Sequence, residues 1–367
     1  MENEQSEESG EEDGFSELEE QSEESGSEEE GNASGESPGA VIHRVQTREF
    51  VVQAACCNIQ GLADYKQESF LQTIRRERID VLAVSETHLV HSEQQAQWQR
   101  QLLASAHFVW FGRPAVRLPG QGEHGRGSGG VGILLRKDWA QHATLMPECE
   151  NDRLLFVRLL LPSAPFPIFF GVVYLVPAGC TRAAENADVL DELEDRAEQY
   201  QSQGMLCVMG DFNVHIADCP SALINPNIEP DVMRSEPVDA GESGVTLLHR
   251  SSVDTSGADE PRGVSAAGAA FVDRMDLAGL IVLNGLRDVG DGSIALATRG
   301  LGSVIDYIVV DSAHLHLMGS VQIRHDAKAE VNSDHQLVAA TITFRCSNSS
   351  DNAVASSTSL PDSIALH

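Results

Sequence analysis

The chain has 367 residues, an apolar fraction of 41% and a formal net charge of −31. This length and apolar content suffice for one large core or two ordinary ones. Seven scattered cysteines without C-x-x-C pairs argue against a disulfide framework or a zinc cluster, and the acidic N-terminus excludes an ordinary signal peptide.

The first 38 residues concentrate the negative charge. They contain 16 Asp and Glu and no Lys or Arg, which leaves 40 acids against 25 bases, a net charge of −15, for the remainder. A segment rich in Glu, Ser and Gly cannot bury enough apolar surface to offset its chain entropy. We therefore expect residues 1–41 to form a disordered acidic tail. Its role stays open between a solubilising spacer and a surface that binds basic proteins or mimics nucleic acid.

From Phe50 onward, strand and helix patterns alternate, which is typical of a layered α/β domain. VVQAACCNI predicts a strand, ESFLQTIRRER a helix and DVLAVSE a buried strand. After a glycine-rich loop at 120–130, GVGILLR and LLFVRLLL predict a pair of strands, and PIFFGVVYLV predicts a further strand. Residues 183–200 have the apolar spacing of an amphipathic helix.

The second half of the chain is interrupted once. MLCVMGDFN predicts a buried strand, whereas residues 217–268, rich in Pro, Gly, Ser and Asp, are expected to be mostly a flexible insertion. Beyond it, AAFVDRMDLAGL predicts a helix, and IVLNG, SVIDYIVVD and QLVAATITF predict strands. We expect a single domain over 42–346, followed by a disordered tail at 347–367.

Polar residues recur at the ends of the predicted strands, where α/β proteins present functional groups to a ligand. They are Asn58, Glu86, Tyr174, the pair Asp211 and Asn213, Asp306, and the pair Asp334 and His335. Singly, most have a structural explanation, such as a turn residue or a core aromatic with its hydroxyl at the rim. Asp306 is different, because a carboxylate in an apolar strand is costly to bury unless a neighbour, most naturally a histidine, hydrogen-bonds it.

Taken together, these residues are chemically coherent. Carboxylates with an amide suit a hard divalent ion, Mg²⁺ or alternatively Mn²⁺, rather than zinc. Hydrolysis of a phosphate ester requires charge neutralisation, an activated water and donors to the developing negative charge. The set therefore predicts metal-dependent phosphoester hydrolysis.

Seven motifs in this order resemble those of the endonuclease/exonuclease/phosphatase superfamily. They are CNIQGL, LAVSETHL, GVGILLR, GVVYLVP, VMGDFNVH, SVIDYIVV and NSDHQLV, and they span about residues 50–343. Within the superfamily, SETHL, GDFNVH, the helix followed by LIVLNG, and SVIDYIVV most resemble the apurinic-type endonuclease domain of non-LTR retrotransposons. The resemblance implies a DNase I-like α/β fold, a four-layer sandwich of two packed mixed β-sheets flanked by helices.

The resemblance also implies roles for the metal and the attacking water. Glu86 would hold the metal with Asn58 beside it, and Asp334 would lie near the metal or near His335. Asp211 would orient or deprotonate the water.

For the phosphate, the resemblance implies a second group. His335 would contact the scissile phosphate and be held in its tautomer by Asp306, while Asn213 and Tyr174 would support the transition state. His215 is a second-tier candidate. Ser333, by contrast, is interpreted as a cap of the turn at Asp334.

Two features fit poorly with a free-standing nuclease. A domain with a net charge of −15 has little general attraction for DNA. Bases cluster locally, however, and a DNA-facing rim is one interpretation of Arg75, Arg76 and Arg78 together with Arg113, Arg117, Arg126 and Arg136 around the glycine-rich loop. For the first three, an ordinary solvated helix face is an equal alternative. Retrotransposon endonucleases also normally precede a reverse transcriptase, which nothing in this chain resembles. Two explanations stay open: a fragment of such an element, or a domain that persists alone in a host protein.

Three functions consequently remain in competition. The first is a DNA endonuclease that nicks DNA, the second a phosphatase that acts on a small phosphorylated molecule. The third is a non-enzymatic, chromatin-associated interaction protein, similar in layout to some craniofacial development (Bucentaur-type) proteins. We expect DNA as the partner, no membrane partner because no apolar stretch reaches roughly 20 residues, and an intracellular location with the nucleus as a candidate compartment.

Overall fold

A computed structural model of the chain describes residues 47–104, 107–120, 126–162, 164–224, 245–249, 264–286, 304–324 and 333–347. The described residues form two six-stranded β-sheets, a separate two-stranded sheet and four α-helices. Apart from residue 347, both predicted disordered tails lie outside the described ranges.

The strands and helices follow the chain in this order. The strands are β1 (Thr47–Asn58), β2 (Val81–Ser85), β3 (Phe108–Arg113), β4 (Val131–Arg136), β5 (Ala143–Leu145), β6 (Leu154–Leu159), β7 (Ile168–Tyr174), β8 (Met205–Asp211), β9 (Ser221–Ile224), β10 (Val245–Leu248), β11 (Leu280–Val282), β12 (Asp306–Asp311), β13 (Met318–Arg324) and β14 (Leu337–Ser347). The helices are α1 (Asp64–Arg76), α2 (Ser92–Ala104), α3 (Asn186–Gln201) and α4 (Ala266–Leu277).

The two large sheets are built alike. One has the order β13-β14-β1-β2-β4-β3 and the other β11-β12-β8-β7-β6-β5. In each, one parallel pair, β1 with β2 or β7 with β8, lies between antiparallel neighbours. Because a parallel pair directs both carboxyl ends to the same edge, each sheet collects its strand ends on one side.

Alternation along the strands creates the layers. On β1, Ala54 and Cys56 face the other sheet, whereas Ala55 and Cys57 face the helices α1 and α2. In the second sheet, Cys207 points inward, and its neighbour Val208 packs in the outer cluster that includes α3 and α4. The chain therefore forms the predicted four layers, helix, sheet, sheet and helix.

Most predicted elements are confirmed, and one predicted pairing is wrong. GVGILLR and LLFVRLLL do form strands, β4 and β6, but they lie in different sheets: β4 pairs with β2 and β3, and β6 with β5 and β7. Their inward residues meet in the core between the sheets. Two uniformly apolar runs fit either arrangement, because burial on both faces removes the pattern that would distinguish them.

The expected insertion at 217–268 contains regular structure in its described part. β9 and β10 pair antiparallel, with Leu223 opposite Thr246. Asp276 of α4 accepts a hydrogen bond from the backbone of Ala222 at 2.6 Å, so this small sheet is tied to α4. No helix among the described residues is long and apolar enough to cross a membrane.

Asp311, at the end of β12, anchors the beginning of the neighbouring β8. It is 2% exposed and accepts hydrogen bonds from the backbone of Leu206 at 2.6 Å and from the backbone and ring of His314 at 3.1 and 2.6 Å. We predict that Asp311→Ala lowers the free energy of unfolding by about 2–3 kcal/mol, because the Leu206 amide loses its partner in a buried setting. Urea denaturation measures this. Asp311→Asn should cost less, since its amide oxygen still accepts, and equal stability of the Ala variant and the parent would contradict the prediction.

Candidate functional site

The strand-end residues meet at one edge of the sandwich. They are Asn58 at the end of β1, Glu86 directly after β2, Tyr174 at the end of β7, Asp211 at the end of β8, Asp306 at the start of β12 and His335 two residues before β14. The strand register pairs Asp211 with Tyr174 on one side and with Asp306 on the other. The predicted residues of both sheets are thus brought together by topology.

One amide joins two carboxylates from opposite sheets. Asn58 Nδ2 donates to Glu86 Oε1 at 3.1 Å and to Asp211 Oδ2 at 2.9 Å. Its Oδ1 accepts from the backbone of Gln60 at 3.1 Å, which fixes the orientation of the amide. Asp211 is 1% exposed, whereas the Glu86 side chain retains 19% of its exposure, so Glu86 is the member that faces solvent.

Glu86 is held in its charged form. Burial alone would raise its pKa, but the adjacent His88 ring and the hydrogen bonds from Asn58 and Tyr174 outweigh burial and lower the pKa to about 2. The Tyr174 hydroxyl donates to Glu86 Oε1 at 2.7 Å. Burial and the adjacent Glu86 charge raise the pKa of Tyr174, so its hydroxyl keeps the proton that it donates.

The glycine of the GDFN motif is required because β8 approaches β7 closely at this position. Gly210 has φ +151°, and a Cβ there would lie 2.0 Å from the carbonyl oxygen of Val173, so only glycine fits. Asp211 Oδ1 accepts from the backbone of Asn213 at 3.0 Å, and Asn213 Nδ2 donates to the carbonyl of Leu175 at 2.6 Å. The Asn213 side chain therefore holds the ends of β7 and β8 together.

His335 and Asp306 form the predicted buried pair. His335 Nδ1 lies 2.8 Å from Asp306 Oδ2, so Nδ1 carries the proton and donates it to the carboxylate. The other nitrogen, Nε2, lies 4.0 Å from Asp211 Oδ2 and 3.6 Å from Asp334 Oδ1. Burial opposes protonation of His335, but these three carboxylates outweigh it and raise the pKa of the ring.

The pKa of Asp211 is also raised. Burial is the largest cause and the charge of Asp306 the next, while His335, Asn58 and the backbone of Asn213 partly offset them. Asp211 and His335 face each other at the closed end of the site, so a proton on either is felt by its neighbour.

Ser333 links the His335 turn to β1. Its hydroxyl donates to the carbonyl of Asn58 at 2.6 Å and accepts from the backbone of His335 at 3.1 Å. The Asp334 side chain next to it is 41% exposed and turns toward the open side. His215 serves another element, since its carbonyl accepts from the backbone and hydroxyl of Ser265 at the N-cap of α4.

The arginines of the glycine-rich region divide into two kinds. Arg113 donates to the carbonyls of Cys149 and Asn151 at 2.7 and 2.6 Å, and Arg136 binds Asp80 at 2.8 Å; both are structural. Arg126 instead reaches the site, where its Nη2 donates to the carbonyl of Gln60 at 3.1 Å.

That nitrogen also contacts His88 Nε2 and lies 4.0 Å from Glu86 Oε2. His88 was not among the predicted residues, and Arg126 was predicted only as a member of the DNA-facing rim. His88 lies within the SETHL motif, two residues after Glu86, and that position is the signal that could have revealed it.

Backbone strain concentrates here. Six non-glycine residues in the described part of the chain have positive φ, and four of them belong to the site or touch it: Gln60 (+48°), Glu86 (+52°), His88 (+56°) and Asn213 (+49°). Such conformations persist only when the surroundings enforce them, and they cluster at functional sites.

Carboxylate oxygens are the main ligand atoms that the site offers to a divalent cation. Among the described residues, ligand atoms of Asp211, Asp306 and His335 lie within 4.8 Å of one another, but Asp306 and His335 are already bonded to each other. Glu86 and Asp211 offer carboxylate oxygens on either side of Asn58, which fits a hard, oxygen-seeking ion. Asn58 itself presents its NH₂ group and bridges these acids rather than offering its oxygen.

Comparisons with known proteins address the family and the fold. A sequence model of the Endonuclease/Exonuclease/phosphatase family matches residues 55–335. Among solved structures, the AP endonuclease LMAP from Leishmania major is similar with 15% identity and a TM-score of 0.54, over 80% of this chain and 88% of that chain. The 3'-5' exonuclease NExo from Neisseria meningitidis is similar with 17% identity and a TM-score of 0.51, over 79% and 98%.

These two structures confirm the predicted sandwich fold. The endonuclease domain of TRAS1, a telomere-specific non-LTR retrotransposon, matches with 13% identity over 80% of this chain and 98% of that chain, but its TM-score of 0.47 carries no argument. A search of curated proteins yields no match.

The Asn58 bridge generates a stability prediction. We expect Asn58→Asp to lower the free energy of unfolding by about 2–5 kcal/mol in EDTA, because a third carboxylate would replace the donor shared by Glu86 and Asp211. Urea denaturation measures it, and a divalent cation should restore more stability to this variant than to the parent.

Gln203→Glu, which adds the same charge at an exposed position, should stay within about 0.5 kcal/mol of the parent. An Asn58→Asp variant as stable as the parent in EDTA would contradict the bridging role.

Proposed function

Because the chain belongs to the endonuclease/exonuclease/phosphatase family, whose members hydrolyse phosphoester bonds, we propose that it is a divalent-metal-dependent endonuclease that nicks DNA. The observation that carries the proposal is the pair His335 and Asp306 facing Asp211 at the edge where Glu86 meets solvent. In the proposed reaction, Glu86 is the carboxylate that accepts the cation, Asp211 the carboxylate that orients the water, and His335 the oriented imidazole.

Asp211 is proposed to orient and deprotonate the attacking water. Both of its oxygens are held, Oδ1 by the backbone of Asn213 and Oδ2 by Asn58, so the carboxylate cannot rotate away. Burial raises its pKa toward the range in which a carboxylate accepts a proton effectively near neutral pH.

His335 is proposed to contact the scissile phosphate. Asp306 orients the ring through Nδ1, which leaves Nε2 directed to the site, and the raised pKa favours the imidazolium form that donates to a phosphate oxygen. Tyr174 and Asn213 hold the strand ends around the reacting atoms and are proposed to support the transition state.

The metal is proposed to be Mg²⁺, with Mn²⁺ as an alternative. Glu86 would hold it, with Asn58 and Asp334 as further ligands, and the bound cation would neutralise charge on the non-bridging phosphate oxygens. Asn58 would then turn its carbonyl oxygen to the cation, which exchanges its present bridge for a ligand bond.

DNA is proposed as the substrate. Two of the similar structures with a TM-score above 0.5 are an AP endonuclease and a 3'-5' exonuclease, and the motif order supports the same chemistry. The narrower, retrotransposon-type assignment rests on the SETHL and GDFNVH motifs. A phosphatase acting on a small phosphorylated molecule is the second candidate, favoured by the structural use of Arg113 and Arg136, which leaves fewer cations for a long polyanion.

We predict nicking of supercoiled plasmid that depends on Mg²⁺ or Mn²⁺. Asp211→Asn and His335→Ala should each lower kcat at least about 100-fold, since each removes a proton-moving or charge-stabilising group. Gel assays of relaxed product under saturating DNA measure this.

Asp195→Asn on the exposed face of α3 removes the same charge as Asp211→Asn and should retain the parent rate. A folded protein that leaves plasmid intact at every Mg²⁺ and Mn²⁺ concentration would contradict the nuclease assignment. Release of phosphate from inositol phosphates in the same preparation would support the second candidate.

The division into an acidic tail and a catalytic domain is likewise proposed. Deleting residues 1–38 removes 16 negative charges, so we predict faster plasmid nicking at low ionic strength and a smaller gain as salt rises. Initial rates at several salt concentrations measure this, and unchanged rates throughout would leave the tail only a spacer role.

A further inference from the structure

Arg126 occupies the open side of the site without a role in the proposed chemistry. Its side chain is 61% exposed. Among the described residues, only Nη2 of Arg126 has hydrogen-bond partners, the carbonyl of Gln60 and the ring of His88. Within the described part of the chain, its other two nitrogens, Nε and Nη1, have no hydrogen-bond partner.

The backbone of the glycine-rich loop delivers Arg126 to this position. The carbonyls of Gly130 and Gly129 accept from the backbones of Thr87 and His88 at 3.0 and 3.1 Å, and the carbonyl of Gly127 lies 2.7 Å from His88 Nδ1. At Gly130, φ is +83° and a Cβ would lie 2.4 Å from Thr87 Oγ1. The loop therefore packs against the segment that follows Glu86 in a way that only glycine allows.

Two other described cations near the site are engaged by the protein itself. Lys66 is 7% exposed, and its Nζ donates to the carbonyl of Ile59 at 3.2 Å. Arg153 is fully buried and donates to Asn186 at 2.8 Å. Arg126 differs from both because its free donors face solvent at the mouth of the site.

We propose that Arg126 binds a phosphate of the substrate strand next to the scissile one. This inference rests on the proposed function. Nε and Nη1 of Arg126 can each donate an N–H to a phosphate oxygen, and the guanidinium supplies a positive charge. A lysine in the same place would supply the charge without these planar donors.

The same chemistry could serve a second phosphate on a small molecule, but the polynucleotide is the assigned source. Arg126 approaches Glu86 from the solvent side, 4.0 Å from Oε2, and its contact with the Gln60 carbonyl keeps it beside the carboxylates rather than over them. A strand with a phosphate at every nucleotide presents a neighbouring group to a cation so positioned.

The test is binding of a 20-base-pair duplex, followed by fluorescence anisotropy over a range of salt concentrations in Ca²⁺. Arg126→Ala should weaken binding about three- to tenfold and reduce the slope of log K against log salt by about 0.9, the contribution of one phosphate contact. Arg126→Lys should keep the slope and lose part of the affinity.

Arg274→Ala provides the matched control. Arg274 pairs with Asp191 and Glu194 on α3, and the helix that carries it leads into β11, whose Leu280 pairs with Asp311 at the end of β12 opposite the site. Its removal changes the net charge equally and should leave both affinity and slope at the parent values.

Binding and nicking separate the two proposals. If the parent binds duplex, Arg126→Ala weakens it as stated and no preparation nicks plasmid, then the nuclease assignment fails and the Arg126 contact stands. If plasmid is nicked while Arg126→Ala binds with the parent affinity and slope, the Arg126 contact alone is wrong. A parent that binds no duplex, or an Arg126→Ala defect confined to inositol 1,4-bisphosphate, would likewise overturn the polynucleotide assignment.

Discussion

The bridge from Asn58 to Glu86 and Asp211 is the interaction on which the rest of the site depends. Two carboxylates carried by opposite sheets would repel at this distance, and Asn58 supplies a neutral donor that satisfies both at 3.1 and 2.9 Å. Because Asn58 Nδ2 lies between them, Glu86 and Asp211 are kept apart while one oxygen of each carboxylate faces the same amide. The two carboxylates are thus positioned before a cation binds, and the Asn58 amide is the group that would have to turn to offer its oxygen.

Two further hydrogen bonds cross between the sheets beside this bridge. Each sheet contributes one partner to every contact, and the pairs are Asn58 with Asp211 at 2.9 Å, Glu86 with Tyr174 at 2.7 Å, and His335 with Asp306 at 2.8 Å. This pattern follows from the matching strand orders, because both sheets direct the ends of a parallel pair to the same edge. A relative shift of the sheets would break all three contacts at once, so the packed core between them sets the geometry of the site.

Local physics explains what could be predicted from the sequence. Polar residues at the ends of apolar strands identify a functional edge, and the cost of burying Asp306 correctly predicts a histidine partner. Other features depend on tertiary packing that apolar runs do not encode, as with β4 and β6, which share composition but belong to different sheets. From the sequence, Arg126 was predicted only as a member of a basic cluster. It lies beside Glu86 because the glycine-rich loop packs against Thr87 and His88, and the sequence pattern does not show this packing.

An acidic chain can bind a polyanionic substrate because most of its charges lie too far from the site to act on a bound phosphate. At physiological salt, exposed charges more than about 8 Å apart are largely screened, so the net charge of the whole chain affects encounter more than contact. At the open side of the site, the local charge is set by two groups: the Glu86 carboxylate, whose pKa of about 2 keeps it negative, and the exposed guanidinium of Arg126. A cation held by Glu86 would neutralise the carboxylate that lies 4.0 Å from this guanidinium, so the charge of Arg126 would act more strongly on a phosphate beside the site. In the proposed arrangement, occupancy of the metal site would therefore favour binding of the neighbouring phosphate in spite of the net negative charge of the chain.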